Sequence, residues 1–155
     1  MARSSLPSRT SSNPIPLSRR KKLCARALSA QKRAYAPYSR FLVGASLWCG
    51  GEVFVDGANV ENASYGLCIC AERTAISTAV AAGKKKFLAI AIATNTSPPS
   101  PPCGMCRQVL SEFCQDLVIF LVNPQGEITT TTLTQLFPGT FTPDALRAGQ
   151  RRKHP

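Results

Sequence analysis

The chain has 155 residues, the length of one domain with short tails. Its one histidine, His154, lies next to the C-terminus, which excludes mechanisms that need an internal imidazole, such as a Ser-His-Asp triad. No run of about 18 apolar residues occurs, so we expect no transmembrane helix. Seven cysteines, an odd number without an export-type leader, favour metal ligation or reduced thiols and a cytoplasmic location.

The net charge of +11 is concentrated at the two ends. Ten of the nineteen basic residues lie in 1–22 and 147–155, whereas 23–146 carries nine basic and eight acidic residues. We interpret 1–17 as a disordered Ser/Pro/Arg-rich tail, 18–146 as the folded domain and 147–155 as a basic tail. The nearly neutral body argues against a nucleic-acid partner, although the tails leave that partner and organelle targeting open.

A helix and a β-hairpin come first along the chain. Residues 18–35 carry an apolar stripe of helical spacing, with Ser18 as the expected N-cap, and Pro37 lies in the segment that ends the helix. The apolar run 41–48 and the residues from Val53 onward, joined by a Gly-Gly turn, predict two antiparallel strands.

Helices and strands then alternate after a polar loop. The predicted helices cover 70–82, 103–114 and 133–137, and the predicted strands cover 87–93, 117–122 and 127–132. Strand-helix-strand crossovers imply parallel neighbours with helices on both faces, and the hairpin at each end makes the sheet mixed. The expected fold class is therefore α/β, a three-layer α/β/α sandwich with a five-stranded mixed sheet.

Three cysteines and a glutamate stand where two of these helices begin: Cys70 and Glu72 at one, Cys103 and Cys106 at the other. A thiolate at a helix N-terminus is stabilised by unpaired amide N–H groups, and residues three apart share a helical face. Three sulfurs can hold Zn²⁺ and leave one tetrahedral position for water, the layout of a catalytic site. Buried structural thiols or a Cys103–Cys106 disulfide are the alternatives.

Four stretches carry a wider resemblance: Tyr35–Phe41, Asn59–Tyr65, Cys70–Ala75 and Pro102–Gln108. They resemble the small homotetrameric, three-cysteine cytidine deaminases, and the resemblance spans roughly residues 20–146. It implies a cytidine deaminase-like fold, one Zn²⁺ per subunit, a homotetramer and a small nucleoside substrate. The implied reaction is the hydrolysis of cytidine or deoxycytidine to uridine or deoxyuridine with release of ammonia, a step of pyrimidine salvage.

The resemblance also implies roles for the residues at the helix starts. Cys70, Cys103 and Cys106 are the metal ligands. Glu72 is the catalytic proton shuttle, which takes a proton from the attacking water, delivers it to ring nitrogen 3 and in a second transfer protonates the departing ammonia. Arg73 partly offsets the negative charge of the three thiolates.

Substrate contacts are implied at seven further positions, namely Phe41, Asn59, Glu61, Ala63, Tyr65, Ala71 and Phe141. Phe41 would stack on the pyrimidine, and Asn59 and Glu61 would contact the ribose hydroxyls. Tyr65 and Phe141 would reach a neighbouring subunit's site, which is why the resemblance implies an obligate oligomer.

Other interpretations remain open at this point. A deaminase acting on a polynucleotide or on a nucleoside antibiotic would use related chemistry, and a zinc-stapled interaction module would bind the metal without catalysis. Cys68 is either a spare ligand or a free thiol, and the role of Arg107 is undecided between a solvated charge and a functional one.

Overall fold

The computed structural model of the chain describes residues 14–151, so the predicted N-terminal tail up to residue 13 and His154 lie outside the described residues. The helices are α1 (Leu17–Gln31), α2 (Ala71–Ala81), α3 (Gly104–Ser111), α4 (Leu133–Leu136) and α5 (Pro143–Arg151). The strands are β1 (Gly44–Gly50), β2 (Val53–Ala58), β3 (Ala89–Ala93), β4 (Val118–Val122) and β5 (Ile128–Thr132). None of the helices in this part of the chain combines the length and apolarity needed to cross a membrane.

The strands form one mixed sheet of five in the order β2-β1-β3-β4-β5. Only β3 and β4 pair in parallel, and the other neighbours are antiparallel. The expected five-stranded mixed sheet is confirmed. The expectation that both crossovers join neighbouring strands is wrong for β2 and β3, because β1 lies between them. A crossover determines the direction of the strand that follows it, but which strand that one pairs with depends on the packing of the whole sheet.

Helices cover both faces of the sheet, as the three-layer prediction requires. α1 packs on one face, where Leu23, Cys24 and Ala27 meet the alanines of β3. α2 and α3 pack on the other face against the isoleucines of β3, Ile90 and Ile92. Because Ala and Ile alternate in this fully buried central strand, β3 presents small alanine side chains to α1 and larger isoleucine side chains to α2 and α3.

Two strand glycines set how closely the helices approach the sheet. A Cβ at Gly44 would lie 2.1 Å from the Ala27 carbonyl of α1, and one at Gly57 would lie 2.4 Å from the Ala71 carbonyl of α2. Only a residue without a side chain allows this contact with the backbone of a helix. Gly57 thereby seats the first turn of α2, where the candidate site begins.

The helices differ from the prediction mainly near the two ends of the chain. Pro16, not Ser18, stands at the N-cap of α1, because the helix already includes Leu17, and the helix ends at Gln31 rather than at residue 35. Helix α5 was not predicted, and it runs across position 146, where the sequence placed the end of the domain.

Candidate active site

The topology brings the starts of α2 and α3 to one edge of the sheet. β2 and β3 run in the same direction, and each crossover helix follows the carboxyl end of its strand. Cys70 is the N-cap of α2 and Cys103 is the N-cap of α3, both with extended backbone and neither with a side-chain capping bond. Their sulfurs are therefore free to face each other across the edge, with Cys106 one turn into α3.

The three sulfurs lie at the separations that a zinc ion requires. All three Sγ atoms are within 4.8 Å of one another, and those of Cys70 and Cys103 are 3.9 Å apart. Tetrahedral Zn–S bonds of about 2.3 Å place two sulfurs about 3.8 Å apart. Within residues 14–151 no fourth His, Cys, Asp or Glu joins the cluster. The donor set fits a three-coordinate protein site, and all three cysteines are free thiols rather than a disulfide.

Charge at the cluster is uneven. Hydrogen bonding from Cys106 above all, with help from the Arg73 guanidinium, outweighs burial and lowers the pKa of Cys70 to about 5. Pairing with Cys70, together with burial, raises the pKa of the Cys106 thiol. Arg73 Nη2 lies 3.6 Å from the Cys70 sulfur and donates to the Cys68 carbonyl at 2.9 Å. Arg73 therefore lies beside the Cys70 sulfur, and its role as a counter-charge to the thiolates stays a prediction.

Glu72 lies in the first turn of α2 with only 4% of its surface exposed, and it faces the same cavity as Cys70 and Cys103. Burial raises the pKa of its carboxyl group, and the negative charge of Cys70 raises it further. A carboxyl group with a raised pKa can both accept and return a proton near neutral pH, as a general acid–base catalyst must.

A cavity of about 220 Å³ extends from the sulfurs. It is lined by Ser39, Phe41, Val43, Asn59, Glu61, Cys70, Glu72, Ile92, Thr94, Ser100, Pro101 and Cys103. The structure thus brings Phe41, Asn59 and Glu61 to the cavity that holds Glu72. Sequence reasoning missed Thr94, although a polar residue directly after a buried strand is a signal for such a position.

Asn59 and Glu61 brace the loop that carries Phe41, a role the sequence did not suggest. Asn59 Oδ1 accepts from the Val43 amide at 2.8 Å, and its Nδ2 donates to the Phe41 carbonyl at 2.9 Å. The Glu61 carboxylate accepts hydrogen bonds from the backbone amide and the hydroxyl of Ser39 and from the backbone amide of Tyr38. Both side chains reach the cavity while they hold its wall, and their contact with ribose stays a prediction.

The remaining predicted contacts lie farther out. Tyr65 is 74% exposed and, with Tyr38, Ser39, Glu61 and Cys68, lines a second cavity of about 240 Å³. Cys68 is not among the three clustered sulfurs; it accepts from the Asn62 amide at 3.3 Å.

Three predicted residues line neither cavity: Ala63 is exposed in its loop, Ala71 is buried at the start of α2, and Phe141 is 61% exposed. The backbone of Phe141 is held at both ends by Gln108 of α3. Gln108 Nε2 donates to the Phe141 carbonyl at 2.8 Å and Oε1 accepts from the Phe141 amide at 3.2 Å.

A metal held by three thiolates beside a buried acid–base carboxyl group suits hydrolytic deamination, and an α/β/α fold with these features defines the zinc-dependent deaminase class. A family model described as "Cytidine and deoxycytidylate deaminase zinc-binding region" matches residues 17–122. The chain belongs to this family.

Individual relatives agree with the family. The chain is 48% identical over 124 residues to the cytidine deaminase of Halalkalibacterium halodurans, which covers 79% of this chain and 94% of the relative. It is 43% identical over 126 residues to the cytidine deaminase of Sporosarcina psychrophila, and the match covers 81% of this chain and 93% of that relative. The crystal structure of cytidine deaminase from Burkholderia pseudomallei aligns with a TM-score of 0.75 at 47% identity and covers 78% of this chain and 98% of that one.

Proposed function

We propose that this protein is an enzyme that hydrolyses cytidine and deoxycytidine to uridine and deoxyuridine with release of ammonia. The observation that carries the proposal is the placement of the buried Glu72 in the cavity that is also lined by Cys70 and Cys103, two of the three clustered cysteines. The identity to cytidine deaminases over most of the chain supports the same reaction. The polynucleotide, antibiotic and interaction-module alternatives are not favoured.

Each residue of the centre has a task in this reaction. Cys70, Cys103 and Cys106 would hold the zinc, which when bound acidifies a water molecule in its open coordination position. Glu72 would take one proton from the attacking water and deliver it to ring nitrogen 3. It would then carry the second proton of that water from the new hydroxyl on carbon 4 to the amino group, which leaves as ammonia. Arg73 donates to Cys70 and would thereby limit the negative charge that the three sulfurs place on a bound metal.

The charge of the cavity supports a nucleoside rather than a nucleotide. Neither of the two cavities is lined by a Lys or Arg among the described residues. Glu61 lies at both, and hydrogen bonds from Ser39 lower the pKa of its carboxyl group, so it is ionised at neutral pH. A phosphate on the sugar would meet this carboxylate without a counter-charge, which disfavours nucleotides and polynucleotides.

A direct assay follows the loss of cytidine absorbance and the release of ammonia, with zinc content measured on the same sample. Glu72→Ala is expected to keep the zinc and the fold but to lose at least about two orders of magnitude in rate. An oligonucleotide at low and high salt serves as the competing substrate. Normal turnover of cytidine by the Glu72→Ala variant would refute the proton-shuttle assignment.

We also propose that the enzyme acts as a homotetramer. Several large apolar side chains are exposed: Tyr65, which lines one cavity, and Leu67, Ile69, Met105 and Phe141. Burying such surface between subunits is favourable, and it would bring Tyr65 and Phe141 to a neighbouring cavity. Sedimentation that finds a fully active monomer would contradict this. A cytoplasmic location is proposed because the site needs three reduced thiols.

A further inference from the structure

Arg107 contacts the backbone at two separate places beside the sulfur cluster. Its Nε donates to the Pro102 carbonyl at 2.8 Å, and its Nη1 donates to the Leu136 carbonyl at 2.8 Å. Among the described residues no salt bridge involves this guanidinium. Its charge is therefore directed at two carbonyl oxygens rather than at a carboxylate.

The first of these carbonyls adjoins a candidate metal ligand, and the second belongs to a neighbouring helix. Pro102 is buried and directly precedes Cys103, the N-cap of α3. Leu136 is the last residue of α4, so its carbonyl has no acceptor role within that helix. The planar fork of an arginine, with donors at fixed angles, joins the turn before Cys103 to the end of α4.

The second segment is firmly held, which makes it a useful anchor. α4 begins with a capping box in which Thr132 and Gln135 satisfy each other's backbone amides, and Leu133 is fully buried in the core. The side chain of Cys103, by contrast, is exposed and makes no capping bond. The position of its sulfur therefore depends on where the backbone of the Pro102–Cys103 turn is held.

We propose that Arg107 is a positioning residue of the metal site. By tying the Pro102–Cys103 turn to α4, it holds the Cys103 sulfur at the distance from Cys70 that zinc requires. Arg107 touches neither the metal ligands' sulfurs nor the cavity. The inference rests on the proposed zinc site, and it assigns a role that the sequence left undecided.

Zinc affinity is the measurement that separates this role from a merely structural one. Side chains that orient metal ligands typically contribute about 10- to 100-fold to affinity. In a competition titration of the full chain with a chromophoric chelator, Arg107→Met is expected to weaken zinc binding by roughly that factor. Arg107→Lys, which keeps the charge but lacks the two-pronged fork, is expected to fall between Arg107→Met and the wild type.

Ser46→Ala is the matched control. Ser46 is buried on the opposite face of the sheet, and its hydroxyl donates to Asp56 at 2.7 Å. The variant should lose thermal stability while its zinc affinity stays unchanged.

Unchanged zinc affinity in a folded Arg107→Met variant that unfolds at lower temperature would overturn the inference, because Arg107 would then stabilise the fold alone. If Arg107→Met does not fold, unchanged affinity in Arg107→Lys overturns it in the same way. A wild-type protein without stoichiometric zinc binding would instead refute the proposed function itself, and the inference with it.

Discussion

Replacing Gly57 of β2 by alanine should disturb the active site, because the new side chain would push against the first turn of α2. A Cβ at this position would lie 2.4 Å from the Ala71 carbonyl oxygen and 2.4 Å from the Ala75 amide nitrogen. Real Cβ contacts with such atoms essentially never fall below 3.0 Å, so the helix must retreat by at least about 0.6 Å. Both atoms belong to the backbone of α2, which has no alternative rotamer to adopt.

The retreat has a cost in stability and a cost in rate. Overpacking of this kind costs about 1–3 kcal/mol in the free energy of unfolding. The first turn of α2 carries Glu72 and follows Cys70, so both move with it. Since a misplacement of about 1 Å can cost about 100-fold in rate, we expect a loss of roughly tenfold or more in kcat/KM.

Urea unfolding and the cytidine absorbance assay measure the two effects on the same protein. Gly149→Ala in α5 is the control, because a Cβ there meets nothing within 4 Å. Helix propensity favours alanine at such a site by up to about 1 kcal/mol, and activity should not change. A Gly57→Ala variant with wild-type stability and rate would show that the contact between β2 and α2 does not position the site.

Three further predictions address the centre itself. In chelated protein, Glu72→Gln should be more stable than the wild type, and the difference should grow as the pH rises above the ordinary carboxyl pKa of 4.5. The reason is that burial raises the pKa of Glu72 and opposes its ionisation. Equal denaturant midpoints for the two proteins from pH 4 to 8 would contradict this. Alkylation of Cys70 in chelated protein, followed by peptide mass spectrometry, should reach half its maximal rate near pH 5, and a midpoint at the ordinary thiol value of 9.0 would refute the stabilisation by Cys106. Gln108→Leu should release the backbone of Phe141 and raise KM more than it lowers kcat. Unchanged kinetics would refute the proposed contact of Phe141 with the substrate.

Local patterns in the sequence were sufficient for the layers of the fold. The apolar stripe of α1 and the uninterrupted apolar run of β3 predicted a helix and a central strand, and burial confirms both. These predictions hold because side-chain periodicity records which face of an element is buried. For α5 the signals were present as well, with Pro143 at its start and Asp144 in its first turn, but the basic residues that follow favoured a tail.

Contacts between segments that are distant in the chain could not be predicted from the sequence. The resemblance implied that Asn59 and Glu61 contact the ribose, but it did not reveal that both side chains also hold the loop of Phe41. The sequence left Arg107 undecided between a solvated charge and a functional one, because its two carbonyl partners lie in other segments. Hydrogen bonds of this kind depend on loop positions that no local propensity determines.

The amino-acid sequence by itself determined the chemistry available to this protein: soft thiolate donors, a carboxyl group one residue from a helix start, and no internal histidine. The tertiary structure decided the use of that chemistry. β1 was inserted between β2 and β3, the starts of α2 and α3 met at one edge, and burial raised the pKa of Glu72. The physical reason is that donor type is a property of a residue, whereas distance and desolvation are properties of the packed chain.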